Sequence, residues 1–281
     1  VLLLVSQVAA AGAIEVPAGY TFDVDVAYGT DSERQRLDVL YPESDSKTFP
    51  AVVYIHGGGW YTGSKGGERT FNMLRRFADA GYVVASIEYR LSDEAPFPAA
   101  VQDCKRAIQW LRAHAGEYRI DPKRVGVIGV SAGGHLTAML AVTRPEDGLE
   151  SEGSNESSAV QAAIPVAAPF ELRIPVSMET PDRVAPMVAQ FLGGPLGEKA
   201  DEARRASPVA YAHTQAAPML IIHGTADKLV HLRQAKAMVA VLKKAQAPHE
   251  VLFVEGGKHG MGVALEAASF EKVLTFLATH L

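Results

Sequence analysis

An α/β protein built on one mostly parallel, eight-stranded sheet is what the sequence predicts, and three observations predict it. Six continuous apolar runs, Ala51 to Ile55, Tyr82 to Ile87, Val125 to Val130, Val160 to Val166, Met219 to Ile222 and Val251 to Val254, lack the alternation of a half-exposed strand. Such runs suit strands covered on both faces, as in a parallel sheet. Helical apolar periodicity fills most of the intervals between them, and strands alternating with helices read as one doubly wound layer structure. With 281 residues, 48% of them apolar and 21% charged, the chain is long enough for a sizeable core.

Taken in order, the first two strands differ from the rest. Phe22 to Tyr28 and Arg36 to Tyr41 alternate with period two, which predicts an antiparallel pair at a sheet edge. Helices are expected over Arg69 to Ala80, Ala99 to His114, His135 to Val142, Leu229 to Ala245 and Leu265 to His280. Two stretches interrupt the rhythm. Arg144 to Ser158 is polar, acidic and rich in Ser and Gly, the composition of a solvated loop. Residues 169 to 207 carry Pro169, Pro175, Pro181, Pro186 and Pro195, with a helical stretch around Val184 to Leu192. An excursion of that length is a lid or a binding loop. Residues 20 to 281 are accordingly read as a single domain with this lid-like insertion.

Residues 1 to 19 begin with a short apolar run that ends in small residues, with A-x-A patterns at Ala9 to Ala11 and Ala11 to Ala13. This is the pattern of a signal-peptide remnant, the alternative being an ordinary N-terminal extension, and it predicts a periplasmic or secreted location over a cytoplasmic one. The run is too short to span a bilayer. Net charge is −5, from 27 Lys+Arg against 32 Asp+Glu, which leaves no basic footprint for nucleic acid. The only cysteine, Cys104, lies in an apolar-periodic stretch and reads as a small core residue.

The chemistry gathers at strand ends. Gly129-Val-Ser131-Ala-Gly133 sits between an apolar strand and a helical pattern, the setting in which G-x-S-x-G forms a strained turn that exposes the serine hydroxyl. Serine needs a base, and the base needs an orienting acid. Asp227 follows the strand Met219 to Ile222, and His259 follows Val251 to Val254 in a Gly-rich loop. All three would leave the carboxyl edge of the sheet, in the order Ser, Asp, His. Glu255 is the rival acid. Asp103 is expected to be a helix-surface or buried structural acid and Asp121 a cap before Pro122. His114 and His280 fall at helix ends. His223 and His231 flank the Asp227 loop, but no third ligand is spaced with them for a metal.

The turn His56-Gly-Gly-Gly-Trp60 leaves another strand. A glycine-rich turn there can cradle a phosphate or donate to an oxyanion. The tail Gly63-Ser64-Lys65 has the hydroxyl before the lysine, the reverse of a phosphate-binding loop, so Ser64 and Lys65 read as a solvated approach to the next helix.

Together HGGGW at His56, GVSAG at Gly129, HGTAD at His223 and GGKHG at Gly256, with IEYRLSDEAPFPAAVQDC between Ile87 and Cys104, resemble the hormone-sensitive-lipase-like esterases. Within them the pattern is similar to the branch that includes bacterial acetyl esterases and feruloyl esterases. The resemblance implies the α/β-hydrolase fold, a triad of Ser131, Asp227 and His259, and an oxyanion hole from the NH groups of Gly58, Gly59 and Ala132. It implies no cofactor and no metal. Members often carry a long helical N-terminal cap, whereas about 20 residues precede the first strand here, so residues 169 to 207 are expected to cover the site. The expected activity is a serine carboxylesterase acting on short-chain acyl or aryl esters, including acetyl or feruloyl groups on plant polysaccharide fragments. The partner is thus a small-molecule or oligosaccharide ester. An arylformamidase or amidase would use the same triad, and a non-catalytic binding protein is a further alternative on this fold. His56, Trp60, Tyr61, Phe170 and Met261 are candidate substrate-pocket residues, with Met187 and Phe191 as further apolar wall or core.

Overall fold

The structure is a computed structural model that describes residues 14–43, 47–151 and 153–281. The N-terminal signal reading falls on residues 1–13 and lies outside the described residues. Eight strands form one sheet: β1 (Tyr20–Ala27), β2 (Arg36–Pro42), β3 (Phe49–Ile55), β4 (Val83–Ile87), β5 (Ile120–Val130), β6 (Ala162–Val166), β7 (Met219–Gly224) and β8 (His249–Val254). Their order across the sheet is β1-β2-β4-β3-β5-β6-β7-β8. β1 and β2 pair antiparallel, β2 pairs antiparallel with β4, and every later pairing is parallel. The alternating β1 took one edge, but the continuous apolar run of β8 took the other, where Phe253 is exposed. β2, although alternating in sequence, is buried over Leu37 to Leu40 because β4 flanks it on its inner side. The remaining continuous runs took the covered centre.

Eight α-helices accompany the strands: α1 (Glu68–Asp79), α2 (Ala99–Ala113), α3 (Ala132–Val142), α4 (Pro181–Leu192), α5 (Ala200–Arg205), α6 (Arg233–Lys244), α7 (Gly262–Leu265) and α8 (Ala267–His280). They divide the core between the two faces of the sheet. Phe71, Leu74 and Phe77 of α1 and Phe270, Val273 and Leu277 of α8 pack with Val52, Val84 and Ile128 on one face. Cys104 and Ile108 of α2, Leu136 and Met139 of α3 and Met238 and Leu242 of α6 pack with Val53, Ala85 and Val127 on the other. Alternate residues of one strand therefore serve opposite cores. Each such apolar side chain contributes roughly 1.5–3 kcal/mol when fully buried.

Several expectations need correction. α3 starts at Ala132, three residues before the expected His135, because every residue from Ala132 to Val142 is buried. A helix covered all round has no polar stripe to mark its phase. The last predicted helix is two, broken at Glu266, whose backbone is extended (φ −58°, ψ 146°). α5 is too short for periodicity to reveal. Lys65 is not solvated: it is buried, and its Nζ lies 2.7 Å from Asp25 Oδ1 and 2.6 Å from Asp38 Oδ1. Residues 144–151 and 153–158 are partly packed. Leu149 is buried, and Glu150 meets the buried Lys105 at 2.5 Å. Asp121 is not a helix cap; it lies within β5, where its Oδ1 accepts the Lys123 NH at 3.0 Å. Among the described residues, no helix is long and apolar enough to cross a membrane.

Around β3 the chain order reverses. β3 lies between β4 on one side and β5 on the other, so the loops leaving β3 and β5 open a crevice at the carboxyl edge.

Candidate active site

Ser131 stands at the end of β5, and its backbone sits at φ 57°, ψ −120°, a strained conformation for any residue with a Cβ. Surrounding packing holds it there. Its NH donates to Val166 O at 2.9 Å, and its carbonyl accepts the His135 NH at 2.9 Å. The flanking glycines are required by contact: a Cβ on Gly129 would strike the Gly133 carbonyl, and one on Gly133 would strike the Ile55 carbonyl. Strand and helix approach that closely because neither position has a side chain. The turn delivers Ser131 into a cavity and leaves Ala132 as the first residue of α3, whose opening NH groups have no intrahelical acceptor.

The loop after β3 comes to the same cavity. Gly58 has φ 122° and Gly59 φ 62°, both in the region that favours glycine. A Cβ at Gly58 would collide with the Thr62 carbonyl, and one at Gly59 would approach Met187 Sδ at 2.8 Å. The Gly58 carbonyl accepts Tyr61 NH at 3.3 Å and Thr62 NH at 3.1 Å, which closes the turn. Among the described residues, the NH groups of Gly58, Gly59 and Ala132 donate to no protein acceptor, and all three residues line the cavity. The three are brought together from two separate loops.

Asp227 and His259 arrive from β7 and β8, whose loops are braced against each other. Ala226 NH donates to Gly257 O at 2.9 Å and Gly256 NH to Thr225 Oγ1 at 2.9 Å. The brace puts His259 Nδ1 2.7 Å from Asp227 Oδ2. Asp227 has no exposed side-chain surface, and its Oδ1 accepts the NH groups of Leu229 and Val230, both at 2.9 Å. A buried carboxylate so surrounded is satisfied as an anion. The rival Glu255 is exposed on the turn. His259 keeps 21% of its side chain exposed and lines the cavity with Ser131. Among the described residues, neither Ser131 Oγ nor His259 Nε2 has a hydrogen-bond partner, so both remain open to a third molecule.

His223, which the sequence marks only as flanking the Asp227 loop, touches the acid itself. Fully buried, it donates from Nε2 to Val230 O at 2.8 Å, and the same nitrogen lies 3.5 Å from Asp227 Oδ2. Burial pushes its pKa down and keeps it neutral. Only its position four residues before Asp227 hinted at the contact.

The cavity has a volume of about 550 Å³. Tyr54, Trp60, Tyr61, Met73, Val176, Val184, Met187 and Met261 supply much of its wall. Tyr61 is 41% exposed at the rim. Trp60 is almost wholly buried, with its ring stacked on Phe191 (centroids 4.5 Å apart) and its Nε1 donating to His135 Nδ1 at 3.2 Å. Two candidates do not line it. His56 is buried beneath the loop, stacked on Tyr89 with centroids 4.4 Å apart and its Nδ1 2.8 Å from Gly57 O. Phe170 is fully buried, and its NH is held by Gln234 Oε1 at 2.9 Å. An apolar ring beside a polar loop is drawn under it. Phe191 likewise belongs to the core.

This sheet order, with a strained serine after β5 and an Asp–His pair on the last two strand loops, defines an α/β-hydrolase of the hormone-sensitive-lipase-like type. The chain belongs to the BD-FAE family, which matches residues 37–242. It is 32% identical over 233 residues to the probable carboxylic ester hydrolase LipM of Mycobacterium tuberculosis, a match covering 80% of this chain and 52% of LipM. Esterase LipQ of the same organism is 29% identical over 79% of this chain and 53% of its own length. The chain therefore spans about half the length of these curated relatives. Among solved structures, a truncated carbohydrate esterase from gut microbiota superposes with TM-score 0.82 at 29% identity, covering 95% of this chain and 99% of that one. Esterase Est2 of Thermogutta terrifontis does so with TM-score 0.71 at 27% identity, over 93% and 91% of the two chains.

Proposed function

We propose that this protein is a serine carboxylesterase that cleaves short-chain acyl or aryl esters, with acetyl or feruloyl groups on plant polysaccharide fragments as its natural targets. The observation that carries this reading is the 2.7 Å His259–Asp227 pair opening on the same cavity as a strained Ser131 and three undonated NH groups. The carbohydrate assignment is supported by the likeness, over 95% of this chain, to a truncated carbohydrate esterase.

In this mechanism, His259 Nε2 takes the Ser131 hydroxyl proton as Oγ adds to the ester carbonyl carbon. The carbonyl oxygen becomes an alkoxide and meets the NH groups of Gly58, Gly59 and Ala132. Asp227 balances the imidazolium. Collapse breaks the bond to the alcohol oxygen, which leaves with the proton from His259, and an acyl group remains on Ser131. Water, deprotonated by His259, repeats the addition, releases the acid and restores the serine. Preorganised NH donors matter because the oxyanion exists only near the transition state, and losing one typically costs about 3–4 kcal/mol.

A fluorophosphonate probe is expected to label Ser131, and Ser131→Ala is expected to lower turnover of an aryl acetate by roughly six orders of magnitude with the fold retained. Unchanged hydrolysis in that variant would remove the assignment. A panel of acetylated and feruloylated sugars then ranks the natural substrates.

A further inference from the structure

The cavity differs in charge from the molecule that contains it. The chain is net negative, at −5, yet no Asp or Glu lines this cavity, while Arg69 and Arg183 do. Arg69 comes from the first turn of α1 and Arg183 from the first turn of α4 in the insertion, so two unrelated elements each deliver a cation. Both side chains are exposed, and among the described residues neither guanidinium has an ion pair or hydrogen bond. Their sequence neighbours do not neutralise them within the cavity: Glu68 does not line it, and Asp182 lines a separate apolar groove. Asp227 is buried behind His259 and already committed to three donors. Tyr54, which shares the wall with Arg69, is pushed up to about 12 by burial and stays a neutral phenol.

We infer that this cavity selects esters that also carry an oxyanion, a carboxylate in the first instance, held by Arg69 and Arg183. The inference rests on the esterase reading of the same site and names its substrate class. A guanidinium presents a planar fork that matches a carboxylate or phosphate, and an apolar cleft with low-dielectric walls focuses the field of its charges. Two such groups on different elements can grip one anion from two directions. A volume of about 550 Å³ leaves room for such a group beyond the acyl chain at Ser131. On a carbohydrate ester, the carboxylate of a uronic acid is the group of this kind. Because both arginines are exposed, solvent and salt attenuate the effect, and about a tenfold preference is expected.

The test compares kcat/KM for para-acetoxybenzoate with its neutral near-isostere para-acetoxybenzamide, at low ionic strength and in about 0.5 M salt. Para-acetoxyphenyl phosphate is the second anionic arm. The wild type is expected to favour the benzoate about tenfold, and the preference is expected to vanish in salt and in the Arg69→Gln/Arg183→Gln double variant. Equal rates on the acid and the amide, or a preference that survives in the double variant, would overturn the inference. A phosphate ester favoured over the benzoate would overturn the carboxylate in favour of a phosphate. Calorimetry on Ser131→Ala separates this inference from the esterase reading. Tighter binding of the benzoate than of the amide there, with no wild-type turnover of either, would sink the esterase reading and keep the anion site.

Discussion

Asp227 is singled out by its surroundings more than by its residue type. Two carboxylates follow the last strands, but Asp227 is sealed and faces the His259 ring, whereas Glu255 points to solvent on the turn. Asp227→Asn is expected to lower kcat by about four orders of magnitude, because the amide leaves His259 in the wrong tautomer. Glu255→Gln should leave kcat within about twofold, since exposed substitutions away from the chemistry rarely matter. Steady-state kinetics on one aryl acetate reads both. The candidates Ser131, Asp227 and His259 were legible in the sequence because each lies in a short motif at a strand end, and the structure brings Ser131 and His259 to one cavity with Asp227 against His259. The pocket residues were legible only in part: Trp60, Tyr61 and Met261 line the cavity, whereas His56 and Phe170 look like wall residues until packing turns them inward.

At the scale of elements, α3 is tied to the loop after β3 and to the insertion through one side chain. His135 accepts the Trp60 indole NH on Nδ1 (3.2 Å) and donates from Nε2 to Ala206 O (2.6 Å). Only the neutral ring does both. Burial lowers its pKa from 6.5 to about 4. Between these values the unfolded chain binds the extra proton and the folded one does not, so stability rises with pH across that window. The contribution is complete above about pH 6.5, is lost as pH falls toward 4, and is on the order of 3 kcal/mol. Urea midpoints at pH 7 and pH 4.5 should therefore draw closer together in His135→Asn than in the wild type. An equal separation would show that His135 carries no such linkage.

Across the whole molecule, the insertion is anchored into the core that supports the site. Phe191 of α4 stacks on Trp60, meets His135 edge-on at 5.5 Å, and accepts the Phe97 NH on its carbonyl at 2.7 Å. Phe191→Ala is expected to cost about 3–5 kcal/mol by leaving a cavity where three segments meet. The ester-hydrolysis rate should fall with it, because Trp60 follows directly on Gly59. Urea unfolding and kinetics on the same preparation check this, and a loss below about 1 kcal/mol would mean the insertion is not anchored there.

The sequence by itself determined the strands and the order of chemical groups along the chain, because apolar periodicity and glycine-rich strand ends are local signals, whereas the burial of β2 and β8 was set by their places in the sheet. It could not phase α3, whose apolar surface is continuous, or show that Lys65 is paired with Asp25 and Asp38, since those partners lie 40 and 27 residues away in sequence. Only the tertiary structure decided which aromatic rings are wall and which are core, set His223 beside Asp227, and brought Arg69 and Arg183 to one cavity. Those outcomes depend on where separate elements meet, and the meeting is fixed by packing across the whole sheet, which no local stretch of sequence records.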